Sequence, residues 1–319
     1  MTSKMNKLFI LIFLLFTVGA QCRQWDVFAD LLVWNISEQT MSTWASTKIA
    51  TSGTTVYTAD QVYFDWNPGF RGGVGYKDEC GLWDTQLYWT YFSTRGNDSI
   101  PQQGLNVVIP EFFAGFISTI NDFNLFYSAA IQWRILYNMF DWELGRTFKI
   151  ASGKVLLRPF IGIKGGAIYQ KIDTELDALI YIATENLHNN FWGIGPSAGM
   201  NGKWNLVCNN SQFFSLLGGV STAMMRGTWM ISDVYNDPLF GENISVNLKK
   251  SELGALMFRG FMGLEWSTLI NESNSRLTLQ LGYEMQLWLN QLRLPTFQLF
   301  LLHGDLAIQG GTCGCRIDF

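Results

Sequence analysis

Charge is scarce in this chain of 319 residues: Asp, Glu, Lys and Arg together make up 15% of it, against roughly 25% in ordinary soluble domains. So few charges cannot cover a water-solvated exterior of normal polarity when aromatics take up another 15%. Long apolar runs are missing too. Beyond the first twenty residues no window of 18 or more is both continuously apolar and uncharged, as a spanning helix would need. The nearest stretch, Phe213 to Met225, is short and interrupted by serine, threonine and glycine. Histidine occurs only at His188 and His303, with no metal-ligand spacing, no Cys-x-x-Cys and no acidic calcium loop nearby. No metal or cofactor is therefore expected, and without a base beside a nucleophile no enzyme activity is expected either. Gly72-Gly73-Val74-Gly75 is not a dinucleotide loop; glycines at such steps let a strand bend or pack closely.

What is present points to export. Lys4 and Lys7, the apolar stretch Leu8 to Val18 and the small residues Val18-Gly19-Ala20 form a secretory signal over residues 1–20, leaving 21–319 as a single domain. Gln21 before Cys22 is a poor match to a lipid-attachment site. Two of the 22 basic residues lie in the signal, so 20 remain against 26 acidic ones, a net charge of −6. A cationic footprint for nucleic acid is absent, and no nucleic-acid partner is expected.

An exported, aromatic-rich chain without spanning helices is either a soluble β-protein or a closed membrane barrel, because every backbone polar group in hydrocarbon must be satisfied internally. Period-two alternation decides for the barrel. Leu277, Leu279, Leu281, Tyr283, Met285, Leu287 and Leu289 interleave with Arg276, Thr278, Gln280, Gly282, Glu284 and Gln286, and only Trp288 breaks the pattern. The stretches from Trp192 to Leu206 and from Leu157 to Tyr169 alternate in the same way. Several runs exceed 13 residues, longer than strands of about 5–6 in soluble proteins and ample for the roughly 9–11 a membrane strand needs.

Short links fall at 77–81, 151–154, 208–211 and 271–274, and longer polar ones around 36–60, 95–112, 177–189, 234–252 and 293–303. The fold class is therefore all-β: a transmembrane antiparallel β-barrel with short periplasmic turns and long external loops. The links predict about ten strands, at 23–35, 61–77, 82–95, 124–147, 155–175, 190–207, 212–232, 254–270, 275–292 and 304–319. Eight or twelve strands fit the same pattern with one hairpin removed or added, and the weakest region is Pro110 to Gln132. An even count puts both ends on the periplasmic side. Arg316-Ile317-Asp318-Phe319 closes the chain on an aromatic, the signal read by barrel-assembly machinery, so Phe319 is the expected insertion residue.

The inward face then carries Arg71, Asp141, Glu143, Arg158, Lys164, Lys203, Arg259, Glu265, Arg276, Glu284 and Arg316 as pore-lining candidates, with Asp26, Asp30, Asp84 and Asp318 beside them. Both signs occur in nearly equal number, which suits a constriction that screens permeant ions. The alternative is an ion-pair network that fills a narrow lumen. Trp83, Trp89, Trp192, Trp204, Trp229 and Trp266 are expected in the interfacial girdles, against outer-membrane lipid. Of the five cysteines, Cys22, Cys80 and Cys208 fall at the periplasmic end, where intermolecular disulfides with envelope neighbours can form. Cys313 and Cys315 share the lipid face and read as small apolar residues.

Asp65-Trp66-Asn67-Pro68-Gly69-Phe70-Arg71, Leu157-Arg158-Pro159-Phe160, Asn190-Phe191-Trp192-Gly193-Ile194-Gly195-Pro196 and Gly263-Leu264-Glu265-Trp266 resemble the Legionella-type major outer membrane protein family. Related pore-forming proteins occur in chlamydia-related bacteria. The resemblance runs from about Trp25 to Phe319. It implies an outer-membrane porin, a passive channel for ions and small hydrophilic solutes, without catalytic residues; the family also suggests a homo-oligomer or cross-linked envelope partners. Cys313 and Cys315 depart from the apolar residues expected there, and Gly311 is smaller than usual. The competing expectation is a plugged structural or adhesive barrel.

Overall fold

The computed structural model describes residues 25–38, 43–51, 54–78, 82–104, 106–110, 126–208, 212–239, 241–270, 275–293 and 303–319. The expected signal at 1–20, Cys22 and Cys80 lie outside them.

Fourteen strands are described: β1 Trp25–Glu38, β2 Thr43–Thr51, β3 Thr54–Gln61, β4 Asn67–Lys77, β5 Trp83–Ile100, β6 Val107–Pro110, β7 Ser128–Arg146, β8 Phe148–Ile150, β9 Val155–Asp177, β10 Ile182–Cys208, β11 Gln212–Asp237, β12 Glu242–Ile270, β13 Ser275–Arg293 and β14 His303–Asp318. Ten of them pair in the order β1-β4-β5-β7-β9-β10-β11-β12-β13-β14, each antiparallel to the next, and β14 pairs back onto β1. The sheet is thus a closed ten-stranded barrel with no free edge around its wall. The seam runs from Asp26 opposite Asp318 up to Glu38 opposite Leu306, and the Phe319 N–H donates to the Trp25 carbonyl at 3.0 Å.

Alternation of side chains explains why these segments are strands. In β1 every second residue is buried, from Asp26 through Phe28, Asp30, Leu32, Trp34 and Ile36 to Glu38, while Trp25, Val27, Leu31 and Val33 are exposed. The outer wall so formed carries Leu87, Trp89, Tyr91, Phe140, Trp142, Ile161, Ile163, Met262, Leu281 and Tyr283, all exposed, the apolar band that lipid requires. On β10, Trp192 and Trp204 bracket that band. Twelve positions along one strand at about 3.3 Å each, tilted by about 40°, separate them by roughly 30 Å along the barrel axis, the thickness of a hydrocarbon core. Trp83 and Trp89 are exposed as expected. Trp229 is not: it is fully buried inside the barrel, because its register on β11 alternates with outward Thr228 and Met230.

At the chain-terminal end the described connection between β8 and β9 is a 3-10 turn at Ala151–Gly153. At the other end the links at 177–189 and 234–252 are corrected to strand: β9 and β10 are separated only by Ala178 to Tyr181, and β11 and β12 only by Pro238 to Gly241. Polar residues filled those stretches because the strands continue past the apolar band into water, where polar residues suit both faces. His188 accordingly sits within β10, not in a loop. The link at 36–60 contains the β2–β3 hairpin, and β6 from the link at 95–112 joins it as a three-stranded sheet in the order β3-β2-β6. Trp44 and Ala45 of that sheet, with Val62, Phe64, Val108 and Phe126, belong to the same apolar cluster as the barrel interior. The small sheet is therefore a lid packed onto the loop end of the barrel, pinned by the Trp44 Nε1 donation to Asp98 Oδ2 at 2.8 Å.

Candidate functional site

The barrel interior has two zones, one ionic and one apolar, set by which residue the inward step of each strand supplies. In β1 the inward series begins Asp26, Phe28, Asp30 and then becomes Leu32, Trp34, Ile36. In β7 it runs the other way along the chain: Ala129, Ile131, Trp133, Ile135, Tyr137 and Met139, then Asp141 and Glu143. Antiparallel pairing places the ionic ends together, toward the chain termini, and the apolar stretches together toward the lid, where Glu38, Glu185 and Asp233 are buried beyond them.

In the ionic zone the charges are clustered. Glu284 accepts from two guanidiniums: Arg71 donates Nη1 and Nη2 to its two oxygens at 3.0 and 2.8 Å, and Arg259 donates Nη2 at 2.8 Å. Asp30 lies 3.6 Å from the Arg71 guanidinium and accepts from Gln280 Nε2 at 3.0 Å. Arg158 donates Nε to Asp84 at 2.7 Å and Nη1 to Glu143 at 2.7 Å, and Glu143 also accepts from the Tyr88 hydroxyl at 2.7 Å. Lys164 pairs with Asp141 at 2.6 Å, and Lys203 with Glu265. At the terminal end Lys77 holds Asp318 at 2.7 Å, while Asp26 lies 3.6 Å from Lys77 and 3.7 Å from Arg316. The bidentate and shared pairs on Glu284, Asp84 and Glu143 hold geometry even where their net stabilisation is small, whereas both Asp26 oxygens are buried without a hydrogen-bond partner.

The apolar zone fills the lumen. Trp34, Trp133, Trp229, Trp288, Phe92 and Phe191 are all fully buried. Tyr137 lies at their centre, with ring centroids 6.4 Å from Trp34 and 6.0 Å from Trp288, and Phe191 stands 4.7 Å from Trp229. The Tyr137 hydroxyl donates to Gln286 Oε1 at 2.9 Å, and Gln286 donates to Glu284 at 2.8 Å, so the two zones are joined by one hydrogen-bonded chain. Burying rings of this size stabilises by about 2–3 kcal/mol each. The layer forms a septum across the barrel. On its terminal side lies a cavity of roughly 280 Å³ lined by Asp30, Arg71, Lys77, Asp84, Tyr88, Glu143, Arg158, Asn201, Lys203, Arg259, Glu265, Gln280 and Arg316, among others.

The structure places all eleven candidate lining residues on inward positions. Arg71, Glu143, Arg158, Lys203, Arg259, Glu265 and Arg316 border the cavity itself. Glu284, Asp141 and Lys164 are buried in the wall behind it. Arg276 lies apart from these clusters, its guanidinium carbon 5.0 Å over the Phe213 ring. Sequence reasoning missed the septum. Its signal was there in Leu31-Leu32-Val33-Trp34, apolar on both faces of one strand, and in Trp288, the single break in the β13 alternation. Of the thiols proposed for cross-links, Cys208 ends β10; among the described residues Cys313 and Cys315 are free and exposed on the outer face.

Comparison with curated proteins finds no match. Among solved structures, the CymD monoaromatic hydrocarbon channel is similar at 8% identity over 94% of this chain and 89% of that one, with a TM-score of 0.37. The Pseudomonas putida toluene transporter TodX is similar at 8% identity over 93% and 89%, with a TM-score of 0.32. A Pseudomonas aeruginosa FadL homologue is similar at 6% identity over 94% and 90%, with a TM-score of 0.26. Likeness of this degree assigns no cargo. Residues 17–319 match the family model described as Legionella pneumophila major outer membrane protein precursor, and the chain belongs to that family, a barrel of the bacterial outer membrane.

Proposed function

We propose that this outer-membrane barrel is a narrow channel for ions and small hydrophilic solutes, not an enzyme, and that the conformation described is its shut state. The observation that carries this reading is the charged cavity behind the septum. A barrel with only a structural role gains nothing from a hollow of roughly 280 Å³ bordered by ten side chains of opposed charge, because burying ions is costly and an apolar fill would serve as well. A septum of aromatic rings is a hydrophobic constriction, and such constrictions gate by excluding water.

The second reading, a plugged structural or adhesive barrel, is favoured by the complete burial of Trp34, Trp133, Trp229 and Trp288 and by the lid packed above them. Single-channel recording in planar bilayers separates the two. The channel reading expects brief, small conductance steps from the wild-type protein and longer openings from Trp288→Ala, which thins the septum. Silence from both proteins, with the barrel folded, overturns it in favour of the plug.

A further inference from the structure

We propose that the outer face of β5, β7 and β9, just beyond the apolar band on the lid side, binds the phosphorylated headgroup of a lipid in the external leaflet. The strand register carries the inference. Arg95 on β5 stands directly opposite Arg134 on β7, and Arg134 stands directly opposite Lys171 on β9. All three point outward, since their chain neighbours Thr94, Gly96, Trp133, Ile135, Gln170 and Ile172 are buried. Directly opposed residues have Cα atoms about 4.5–5.5 Å apart, so three cations share one row about 10 Å long. Like charges placed in this way are destabilising, and their surroundings do little to neutralise them. Lys171 has the Asp173 carboxylate of its own strand at 2.8 Å, but Arg134 donates its Nε to the neutral Gln132 side chain at 2.8 Å. Among the described residues neither Arg95 nor Arg134 has an ion-pair partner.

The height of the row selects the partner. Toward the chain termini the same faces carry the exposed Trp89 and Tyr91 on β5, Phe140 and Trp142 on β7 and Ile163 and Tyr169 on β9. Ser93, Leu136 and Tyr169 form the row next to the cations, and tyrosines at such positions mark the edge of the hydrocarbon. One outward step along a strand tilted by about 40° climbs about 5 Å. The cations therefore stand about 5 Å beyond that edge, within a headgroup layer that adds about 5–7 Å to each side of the core. Basic groups at this depth attract anionic headgroups. A phosphate held between opposed arginines accepts paired guanidinium donors and turns their repulsion into a bridge. The charge is also one-sided, because the outward positions of β1 and β14 near their lid ends are Asn35, Ser37, Ala307 and Gln309. Asp173 and Glu175 lie one and two steps further up β9, so the side of the row nearest the lipid is uniformly basic.

The row lies outside the lumen, so its test does not depend on whether the barrel conducts. The folded barrel is placed in detergent micelles doped with a bis-phosphorylated glucosamine glycolipid, or with the same lipid dephosphorylated, and the lipid it retains is read by native mass spectrometry. The wild type is expected to keep the phosphorylated lipid and lose the other. Arg134→Gln is expected to weaken retention about fivefold, the effect of one surface cation. The triple variant Arg95→Gln/Arg134→Gln/Lys171→Gln is expected to fall to the level of the dephosphorylated lipid. Arg146→Gln, which removes an exposed cation at the opposite end of β7, is expected to retain lipid as the wild type does. Equal retention of the two lipids by the wild type, or an equal loss in Arg146→Gln, overturns the proposal. Complete displacement of the lipid by inorganic phosphate, beyond the effect of sodium chloride at equal ionic strength, overturns it in favour of a site for free phosphate. A second measurement separates binding from folding. In phosphatidylcholine vesicles the midpoint of the heat-modifiable shift of Arg134→Gln is expected to equal or exceed that of the wild type, because a repulsion is relieved. Adding the phosphorylated lipid is expected to raise the wild-type midpoint and leave that of the triple variant unmoved; an equal rise in both overturns the site.

Discussion

Arg71 on β4 reaches across the lumen to Glu284 on β13 and holds both carboxylate oxygens, at 3.0 and 2.8 Å. Arg259 grips the same carboxylate from β12, so one glutamate anchors two guanidiniums from strands on either side of the β13–β14–β1 seam. Replacing Glu284 by Gln leaves both cations without their charge partner inside the barrel. Loss of one member of a buried ion cluster costs about 3–5 kcal/mol. Urea unfolding of Glu284→Gln, followed by tryptophan emission, should show a loss of that order. Asp173→Asn, which breaks the half-exposed Lys171 pair at 2.8 Å, should change stability by under about 0.5 kcal/mol.

Trp288→Ala removes a ring packed between Tyr137 and Phe191. A buried Trp→Ala change costs about 3–5 kcal/mol through lost contact and residual cavity. The folded fraction of this variant should still show heat-modifiable migration, because the barrel wall is closed by backbone pairing and not by the septum.

Gly227 lies under the ring of Phe191, where an added Cβ would come within 2.0 Å of a ring carbon. The side chain of Gly227→Ala has to displace Phe191 from Trp229, and overpacking of this kind costs about 1–3 kcal/mol. A red shift of the Trp229 emission, read in a variant that keeps this tryptophan and has the others replaced by Phe, would report the displacement. Unchanged emission and stability would show that the ring is not held there.

Lipid quenching should divide the tryptophans into two classes. Trp89, Trp142, Trp192 and Trp204 are exposed on the outer wall, whereas Trp34, Trp133, Trp229 and Trp288 are buried within. In vesicles of brominated phosphatidylcholine the emission of the first group should fall severalfold while the second keeps most of its intensity. Equal quenching of both groups would mean that the interior register is wrong.

Cys313 and Cys315 are exposed on the same outer face of β14. In vesicles they should react with an apolar maleimide and resist a membrane-impermeant charged thiosulfonate. If Cys22, Cys80 and Cys208 join neighbouring envelope proteins, non-reducing gels of whole envelopes should show ladders that collapse on reduction; their absence would count against cross-linking.

The barrel was legible in the sequence because its outer wall obeys one rule over long runs. β13 and β10 state that rule at almost every step, and the ten strands fall where the alternation put them except that β10, β11 and β12 run on well past their expected ends, through stretches read as links. The charged lumen was legible for the same reason: Arg158, Lys164, Glu265 and Glu284 fall out of phase with their apolar neighbours. The septum was harder to see. Where a strand is apolar on both faces, as at Leu31 to Trp34, periodicity loses its contrast and cannot separate the face toward lipid from the face toward a packed interior. Pairing of Arg71 with a carboxylate 213 positions away depends on closure and register around the whole wall, which no local pattern encodes. Trp229 was misplaced because an aromatic near a strand end suits a girdle and a core equally well.

β10, β11 and β12 run for 27, 26 and 29 residues, while β1 and β4 run for 14 and 11. Past the apolar band their outward positions turn polar, at Thr184, Asn186, His188 and Asn190 on β10 and at Asn243, Ser245, Asn247 and Lys249 on β12. The rim is therefore oblique, a tall parapet on one side facing the low lid built from the links of β1 and β5. Such a molecule has a front and a back in the plane of the membrane. Anything descending on it meets the parapet from one bearing and the lid from the opposite one, so its orientation among its neighbours matters in a way that a barrel with a level rim would not show.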